Sequence, residues 1–432
     1  MKNIGIALLG FGTVGSGVAE AIDRNKELIF RQLGCEVQIR RVLVRHPKAY
    51  ADHPLLQNIP VTDAFSDILS DAEVDIVIEV MGGIHPALEY VNEAIRRKIN
   101  VVSANKDLVA MYGPDIIFNA LANHVHFSCE ASVAGGIPIL MPLHQSLAAN
   151  EIESILGILN GTTNYILTRM YESGVSYESA LKEAQDKGFA EADPTNDVCG
   201  YDAARKLAIL SSIGFRANVT FHDVIVEGIE RITQQDIQYA RDMGYTIKLL
   251  AAGTRQKQGI SLNVYPAFVP LAHPLASISG AYNAIYVVGN IVGDVMFYGQ
   301  GAGSLPTASA VMGDVISTAQ HIMNGSTGSG LIMSDTMRIP FYSSRKLKDS
   351  YYFRMIVQDV TGVLAQIAAA FADHHISIKE VVQKNRFGDS AELMLITEQA
   401  PRENIIQVEK ALAVLPCMRN VAGVIRVLDD RK

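Results

Sequence analysis

The sequence has no tryptophan and only four cysteines among its 432 residues. The cysteines form no CxxC pair and have no histidine nearby at the spacing of zinc ligands, which excludes the usual patterns of a structural zinc site. We therefore expect free, buried thiols in a reducing compartment. The four residues are Cys35, Cys129, Cys199 and Cys417.

The sequence also lacks an excess of positive charge and any long apolar run. Its 37 lysines and arginines are outnumbered by 45 aspartates and glutamates, whereas binding to nucleic-acid phosphates needs a clustered basic surface. No run approaches the ~20 apolar residues of a membrane span. The apolar opening "MKNIGIALLG" has no small-residue cleavage site after it. These absences predict a cytoplasmic protein with small-molecule partners, which binds neither nucleic acid nor membranes.

The length and composition indicate a globular protein with more than one domain. Apolar residues make up 49% of the chain, as is typical of well-packed proteins. A chain of 432 residues is longer than one hydrophobic core usually supports. We therefore expect two or three domains.

The first motif is a glycine-rich turn between an apolar run, Ile4 to Leu9, and a segment with helical spacing. The order of strand, turn and helix is that of dinucleotide-binding folds. Gly10 would allow the tight bend, Gly12 would let the backbone approach a pyrophosphate, and Gly15 would let helix and strand pack closely. The candidate cofactor-binding residues of this turn are Gly10, Phe11, Gly12, Thr13, Val14 and Gly15.

Strand-like and helix-like segments alternate through the first 130 residues. After the first strand, strands are predicted at 37–44, 74–80, 100–106 and 124–130, and helices at 86–98 and 113–122. Such alternation predicts a parallel sheet with helices on both faces, which is a Rossmann-type doubly wound α/β fold. We assign residues 1–130 to this NAD(P)-binding domain.

The end of the second predicted strand bears on the choice of cofactor. NAD sites normally have an acidic residue there, which binds the ribose 2′-hydroxyl. Here the strand is followed by Arg45 and Lys48, which would suit the 2′-phosphate of NADP. A solvated basic turn would give the same pattern, so NAD stays open as an alternative.

Beyond residue 130 the sequence becomes a mixture of apolar helices and strands. We assign residues 131–325 to an α+β domain for substrate binding, catalysis and oligomerisation, in which the helical pattern at 305–320 is expected to return to the cofactor domain. Residues 326–349 mix small polar and charged residues without a sustained period, which indicates a linker.

The last part of the chain, residues 350–432, shows the order βαββαβ. Strands are predicted at 351–357, 376–382, 391–398 and 421–428, and helices at 363–374 and 402–413. This order predicts a ferredoxin-like domain.

The stretch "AEADPTNDVCGYDAARK" (190–206) concentrates acidic residues in a sequence too irregular for a solvated helix face. Asp202 and Lys206 are four residues apart, so on a helix they would share one face. A surface loop capped by acids would also fit this stretch taken alone. Its meaning therefore depends on the rest of the chain.

This stretch and several others resemble the homoserine dehydrogenase family, and the resemblance covers essentially the whole chain. The further matching motifs are "SANK" (103–106), "EASVAGGIP" (130–138), "NGTTNYI" (160–166) and "GAGSLPTASAV" (301–311). The C-terminal domain resembles an ACT domain, the amino-acid-sensing module of many longer members. The family's acidic signature is matched at Ala184, Gly188, Phe189, Ala190, Asp193, Pro194, Asp197, Val198, Gly200, Asp202 and Lys206.

The resemblance implies reversible NAD(P)-dependent interconversion of L-homoserine and L-aspartate 4-semialdehyde, on the route to threonine, isoleucine and methionine. Hydride arriving at the aldehyde carbon leaves charge on the oxygen, which a cationic donor can stabilise and protonate. Lys206, oriented by Asp202, is our first catalytic candidate. Lys106, at the end of a predicted strand, is the second, although taken alone it would be a surface residue.

The resemblance also implies further binding residues. A zwitterionic substrate needs acidic groups near its ammonium, for which Glu191 and Asp197 are candidates. The motifs that match the family add Gly161 and Thr162 to the substrate site, and Lys106 and Gly303 to the cofactor site.

The motif "EASVAGGIP" resembles the monovalent-cation loop of the family. Oxygen ligands for Na⁺ would come from Glu130 and from the carbonyls of Val133, Gly135 and Ile137, because hard cations favour oxygen. A turn that begins a helix and needs no ion would also explain the motif.

The ACT resemblance implies an amino-acid effector, for which we predict L-threonine. Asp359 and Gly362, after the first strand of this domain, are the expected effector residues. Such sites commonly lie between two ACT domains, which implies a homodimer or homotetramer. A domain that only assists assembly is the alternative.

Two other functions would also fit parts of the sequence. One is an NAD(P)-dependent oxidoreductase that acts on a different amino-acid semialdehyde. The other is an amino-acid sensor with an inactive dehydrogenase core, although the presence of Lys106, Glu191, Asp202 and Lys206 argues against such decay.

Overall fold

The computed structural model describes residues 3–326 and 339–429, except for the side chains of 385–387. The strands in these residues are β1 (Ile4–Leu9), β2 (Val37–Leu43), β3 (Val61–Thr62), β4 (Ile76–Glu79), β5 (Asn100–Ser103), β6 (Phe127–Ser128), β7 (Ile152–Ile158), β8 (Ile225–Val226), β9 (Tyr245–Gln256), β10 (Gly259–Pro270), β11 (Tyr282–Gly289), β12 (Gly293–Gln300), β13 (Lys348–Gln358), β14 (Ile378–Phe387), β15 (Ser390–Thr397), β16 (Ala400–Pro401) and β17 (Met418–Val427). The helices are α1 (Thr13–Arg24), α2 (Lys26–Leu33), α3 (Phe65–Leu69), α4 (Ala87–Arg96), α5 (Lys106–Ala122), α6 (Gly161–Ser173), α7 (Tyr177–Asp186), α8 (Thr195–Val198), α9 (Tyr201–Gly214), α10 (Gln234–Asp242), α11 (Ser304–Met323), α12 (Val363–Asp373) and α13 (Arg402–Ala413).

The chain forms two compact units, each made of three segments. The first contains Met1–Ile155, Arg205–Asp223 and Asn283–Ile339, and the second contains Leu156–Ala204, Val224–Tyr282 and Pro340–Lys432. The domain boundaries that we expect from the sequence stay predictions. No helix in the described ranges is long and apolar enough to cross a membrane.

The first unit is built on a six-stranded parallel sheet with the strand order β3-β2-β1-β4-β5-β6. Alternate strand residues point to opposite faces. On one face, Ile6 and Leu8 of β1 pack in a core with helices α1, α2 and α11. The alternate residues Val77 of β4 and Val101 of β5 are buried on the opposite face, on which α4 and α5 contact the sheet. The predicted doubly wound fold is confirmed.

Helix α11 packs against α1 within this same core, although it follows α1 by almost three hundred residues. Val311 and Val315 are fully buried beside Val18. The Ser304 hydroxyl donates a hydrogen bond to the carbonyl of Thr13 at 2.7 Å. The N-termini of the two helices therefore lie side by side.

The predicted strand 100–106 is too long, and this changes the position of Lys106. Strand β5 ends at Ser103, and Lys106 is the first residue of α5 rather than the last of a strand. The side chain of Asn105 accepts a hydrogen bond from the backbone N–H of Leu108 at 3.1 Å, which caps the helix. The helix predicted at 113–122 therefore begins earlier than expected, at Lys106, and Pro114 lies inside it.

The second unit contains a mixed sheet in which two strands come from 245–270 and four from the C-terminal part. Strands β9 and β10 form an antiparallel pair, and both β8 and β17 pair with β10 in parallel. The sheet continues with the order β17-β13-β15-β14, all antiparallel. With α12 and α13 this gives the predicted ferredoxin-like βαββαβ topology, which is confirmed.

Half of the predicted linker, residues 327–338, lies outside the described residues. The described remainder makes backbone contacts with β10. Ile260 donates a hydrogen bond to the Pro340 carbonyl at 3.0 Å, and Tyr342 donates one to the Ile260 carbonyl at 2.7 Å. Lys348 and Asp349, which the linker assignment included, are the first residues of β13.

Candidate active site

The glycine-rich turn follows β1 and leaves the N-terminus of α1 accessible. Gly10 has φ +106°, a left-handed conformation that favours glycine. A Cβ on Gly15 would lie 2.3 Å from the Gly10 carbonyl oxygen, whereas a Cβ on Gly12 would meet nothing within 4 Å. The open backbone at Gly12 and the helix N-terminus fit a bound pyrophosphate.

The other residues of this turn differ in their surroundings. Phe11 is buried and makes edge-on contacts with the rings of Tyr50 and His53. Thr13 is exposed, and Val14 packs against the core. Gly303, the N-cap of α11 with φ +127°, immediately precedes Ser304, which bonds to Thr13. Gly303 and the glycine-rich turn are therefore close together.

Arg45 lies just beyond the end of β2, next to the glycine-rich turn. The backbone N–H of Gly10 donates a hydrogen bond to the carbonyl of Leu43, two residues before Arg45, at 2.9 Å. Arg45 and Lys48 are exposed, and neither has an ion-pair partner in the part of the chain that the structure describes. Both side chains can therefore meet an anionic group there.

A buried carboxylate, Glu79, holds the segments that follow β4 and β5. It accepts hydrogen bonds from the Ser103 hydroxyl at 2.7 Å, the Asn105 side chain at 3.3 Å and the Met81 N–H at 2.9 Å. Burial raises the pKa of Glu79. This network, which the sequence analysis missed, positions Asn105 and with it the start of α5 at Lys106.

An ion pair joins the neighbours of the two candidate lysines. Arg205 Nε lies 3.0 Å from Asp107 Oδ1, and both side chains are partly buried. Asp107 follows Lys106 on α5, and Arg205 precedes Lys206 on α9. The contact therefore brings the start of α5 next to the turn of α9 that carries Lys206.

Within the second unit, Asn160 connects the two acids of the signature stretch. Its side-chain amide donates hydrogen bonds to Asp197 Oδ1 at 2.7 Å and to Asp202 Oδ2 at 2.9 Å. Its carbonyl oxygen accepts from the N–H of Thr163 at 2.8 Å and so caps α6. Asp202 is buried and Asp197 partly exposed. The sequence motif contained Asn160, but nothing in its spacing indicated this bridge.

The remaining predicted substrate residues lie near this bridge or at the surface. The Thr162 hydroxyl donates a hydrogen bond to the Phe189 carbonyl at 2.6 Å, so it supports the acidic stretch. Gly161 packs closely, since a Cβ there would lie 2.8 Å from the Ala281 carbonyl oxygen. The side chain of Glu191 is exposed.

Helix α9 carries Asp202 in its first turn and Lys206 in its second. Both residues therefore lie on a helix, and the spacing of four residues puts both side chains on one face. Lys206 is partly buried. A cation and an anion on the same helix face can act on one small substrate.

The predicted cation loop is organised around the buried carboxylate of Glu130. Its Oε1 accepts a hydrogen bond from the N–H of Leu140 at 2.8 Å and its Oε2 from the N–H of Met141 at 2.7 Å. The N–H of Glu130 donates to the carboxylate of Asp314 at 2.8 Å. Burial raises the pKa of both acids. The Glu130 side chain is therefore already bound by backbone donors.

The backbone of this loop is a better source of cation ligands. The carbonyls of Val133, Gly135 and Ile137 accept no hydrogen bond from the residues that the structure describes. In the same residues, no group of three or more His, Cys, Asp or Glu side chains could hold a metal ion. Any cation here would depend on main-chain oxygens.

Comparisons with known proteins give one consistent family for successive parts of the chain. Three family models match it: "Homoserine dehydrogenase, NAD binding domain" at 10–130, "Homoserine dehydrogenase" at 138–316 and "ACT domain" at 351–417. The chain is 39% identical over 432 residues to the homoserine dehydrogenase of Bacillus subtilis (strain 168), and the match covers 99% of each chain.

Solved structures give the same result. A homoserine dehydrogenase from Thiobacillus denitrificans has a TM-score of 0.94 and 39% identity, with 99% of each chain covered. A hyperthermophilic archaeal homoserine dehydrogenase in complex with NADPH has a TM-score of 0.63 and 26% identity, covering 73% of this chain and 97% of that one.

Proposed function

Because the chain belongs to the homoserine dehydrogenase family of oxidoreductases, we propose that it catalyses the reversible conversion of L-homoserine to L-aspartate 4-semialdehyde. The observation that carries this proposal is the bridge from Asn160 to Asp197 and Asp202, with Lys206 one turn further along α9. The bridge fixes the two carboxylates relative to each other, and Lys206 lies on the same helix as Asp202.

Each residue of this group has a separate role in the proposed mechanism. Asp197 and Glu191 attract the ammonium of the amino-acid substrate, and Asn160 fixes the direction of the Asp197 carboxylate. Lys206, oriented by Asp202, donates a hydrogen bond and then a proton to the aldehyde oxygen during reduction. Lys106 helps to hold the substrate oxygen, and a dinucleotide held at the glycine-rich turn would supply the hydride.

A spectrophotometric assay tests the reaction directly. With L-homoserine and either NADP⁺ or NAD⁺, we expect the absorbance of the reduced cofactor to increase, and with aspartate semialdehyde and NADPH to decrease. Other amino-acid semialdehydes serve as controls, because the second oxidoreductase considered above would use one of them. No turnover of homoserine with either cofactor would rule out the proposed activity.

We propose NADP as the preferred cofactor. Support comes from the exposed Arg45 beside the glycine-rich turn and from the absence of an acidic residue at the end of β2. The NADPH bound to the archaeal structure is consistent with this choice.

Arg45→Ala is expected to raise KM for NADP⁺ by about tenfold or more, since hydrogen bonds to charged groups contribute about 1.5–3 kcal/mol. KM for NAD⁺, which has no 2′-phosphate, should change little. Steady-state kinetics with both cofactors measure this, and Arg24→Ala at the opposite end of α1 is the control. Equal increases for both cofactors would assign Arg45 a structural role.

We propose that a monovalent cation such as Na⁺ binds the carbonyls of Val133, Gly135 and Ile137, while the Glu130 carboxylate organises the loop. The three carbonyl groups are the supporting observation, because backbone donors already bind the Glu130 oxygens. The cation would stabilise the loop and would take no part in the reaction.

We propose that the reaction serves the synthesis of threonine, isoleucine and methionine in the cytoplasm, in a homodimer or homotetramer that threonine inhibits. The ACT domain supports regulation by an amino acid. Asp359 and Gly362 lie in the loop between β13 and α12, where we expect the effector.

Asp359→Asn in the full chain is expected to raise the threonine concentration for half-inhibition several-fold, because a carboxylate that binds the effector ammonium is lost. Gly362 is less suitable for substitution, since its φ of +90° strains other residues. Asp373→Asn at the far end of α12 is the control. If millimolar threonine leaves the activity of the wild-type protein and of both variants unchanged, regulation by threonine is contradicted.

A further inference from the structure

Strand β9 of the second unit carries a buried lysine, Lys248, which the proposed mechanism does not use. The residue is 3% exposed, and in the described part of the chain its ammonium forms no ion pair. Desolvation lowers the pKa of Lys248 to about 8, and the negative charge of Glu172, near the end of α6, only partly offsets this shift. An unpaired charge is costly to bury. Its presence here indicates a role that an apolar side chain could not fill.

The hydrogen bonds of Lys248 lead to one loop, residues 278–282, which runs into β11. Its Nζ donates to the Ile278 carbonyl and, at 3.2 Å, to Asn164 Oδ1 of α6. The side-chain nitrogen of Asn164 donates to the same Ile278 carbonyl at 3.2 Å and to the Tyr282 carbonyl at 3.1 Å. Lys248 and Asn164 together therefore hold both ends of the 278–282 loop.

The ammonium also determines which way the Asn164 amide points. An ammonium has only donors, whereas an amide has an oxygen acceptor and a nitrogen donor. Lys248 therefore favours the orientation in which Oδ1 meets the ammonium and the amide nitrogen meets the loop carbonyls. An apolar residue at position 248 would leave this Oδ1 buried without a donor and would remove the preference.

A third attachment holds the middle of the loop. The Thr168 hydroxyl donates a hydrogen bond to the Asn164 carbonyl at 2.7 Å and accepts one from the N–H of Gly280 at 3.1 Å. Asn164 and Thr168 are four residues apart, so they lie on one face of α6. Both are buried. The 278–282 loop is thus attached to α6 along this face.

The same face of α6 begins at the candidate substrate site. Asn160, which bonds to Asp197 and Asp202, is the N-cap of α6 and lies four residues before Asn164. The carbonyl oxygen of Ala281 would lie 2.8 Å from a Cβ on Gly161. The loop therefore packs against the first residue of α6. A displacement of the loop changes the space beside the residues that are proposed to bind the substrate.

We propose that Lys248 is a positioning residue for the substrate site, because it orients the Asn164 amide and thereby holds the 278–282 loop against Gly161. Its loss lowers the affinity for homoserine but leaves the proton donor and the glycine-rich turn in place. This effect on homoserine rests on the proposed function, whereas the effect on the loop does not.

Amide hydrogen exchange of the full-length protein, followed by mass spectrometry, tests the effect on the loop. Lys248→Met keeps an unbranched side chain and removes the ammonium. Peptides that cover 278–282 are expected to exchange about tenfold faster in this variant, since hydrogen bonds from a charged group are lost. Peptides from β1 and α1 of the first unit should exchange at the wild-type rate.

Steady-state kinetics test the effect on the substrate. Lys248→Met is expected to raise KM for homoserine about fivefold or more and to change kcat by less than about twofold, the result of losing binding that ground state and transition state share. The Kd of the dinucleotide should not change.

Two further variants complete the experiment. Lys182→Met replaces an exposed lysine of α7 and should change neither the exchange of the loop nor KM. Thr168→Val removes the bond to Gly280 and leaves Lys248 in place, so it should change both in the same direction as Lys248→Met. Thermal unfolding shows whether each variant is folded. If Lys248→Met does not fold, Thr168→Val decides whether the loop borders the substrate.

Unchanged exchange at 278–282 in folded Lys248→Met would overturn the proposal. Faster exchange spread evenly over the whole chain would also overturn it, because it would mean a general loss of stability. Faster exchange confined to the loop, with a wild-type KM for homoserine, would show that the loop does not position the substrate site. If the wild-type protein does not turn over homoserine, the proposed function fails, and the exchange experiment still decides whether Lys248 holds the loop.

Discussion

Lys206→Ala is expected to lower kcat for homoserine oxidation and for semialdehyde reduction by about 10²–10⁴-fold, the usual cost of losing a general acid. The protein should remain folded and should still bind the dinucleotide, because the glycine-rich turn is formed by β1 and α1. Stopped-flow or steady-state assays give kcat, and fluorescence titration gives the cofactor Kd.

Two further variants define the role of Lys206. Lys182→Ala, an exposed lysine on α7, controls for loss of a positive charge and should retain wild-type kcat. Asp202→Asn should also be slow, since the lysine loses its charged neighbour. Near-normal turnover by Lys206→Ala would mean that the proton comes from another group, and Lys106 would then be tested in the same way.

Arg354→Met is expected to lower the free energy of unfolding by about 3–5 kcal/mol, because it leaves buried charges without a partner. Arg354 Nε donates a hydrogen bond to Asp236 Oδ1 at 2.8 Å, and the two side chains are 10% and 1% exposed. Arg354 also lies 3.4 Å from Glu392, whose other oxygen accepts a hydrogen bond from Tyr239. Urea unfolding measures the change.

An exposed arginine–aspartate pair of the C-terminal part provides the control. Arg419 Nη2 lies 2.9 Å from Asp389 Oδ2, but the two side chains are 48% and 80% exposed. Exposed ion pairs contribute about 0–1 kcal/mol because water and salt screen them. Arg419→Met should therefore change the free energy of unfolding by no more than about 1 kcal/mol. Equal losses for the two variants would show that burial does not decide the effect.

The buried pair also determines how regulation can be tested. Asp236 lies on α10, outside the ACT domain, and Arg354 lies on β13 within it. Leu428 donates a backbone hydrogen bond to Phe268 of β10 at 2.8 Å. Removing residues after 348 would expose the edge of β10 and leave the Asp236 carboxylate without its arginine partner. Point substitutions in the full chain, such as Asp359→Asn, therefore give a clearer answer than truncation.

The sequence by itself determined the features that depend on neighbouring residues. The glycine-rich turn, the alternation of strands and helices, the βαββαβ order and the four-residue spacing of Asp202 and Lys206 all follow from local turn chemistry and periodicity. Helix α13 has the predicted bounds. The largest local error is at Lys106, where capping by Asn105 begins α5 earlier than the predicted helix start at residue 113.

Only the tertiary structure decided which distant residues meet. Asn160 bonds to carboxylates 37 and 42 residues further along the chain, and no periodicity relates such positions. The Glu79 network and the Arg205–Asp107 pair likewise join separate elements. Pairing of β17 with β10 likewise joins strands that are far apart in the sequence. Periodicity assigns an element and its buried face, but the packing of the elements selects the contacts.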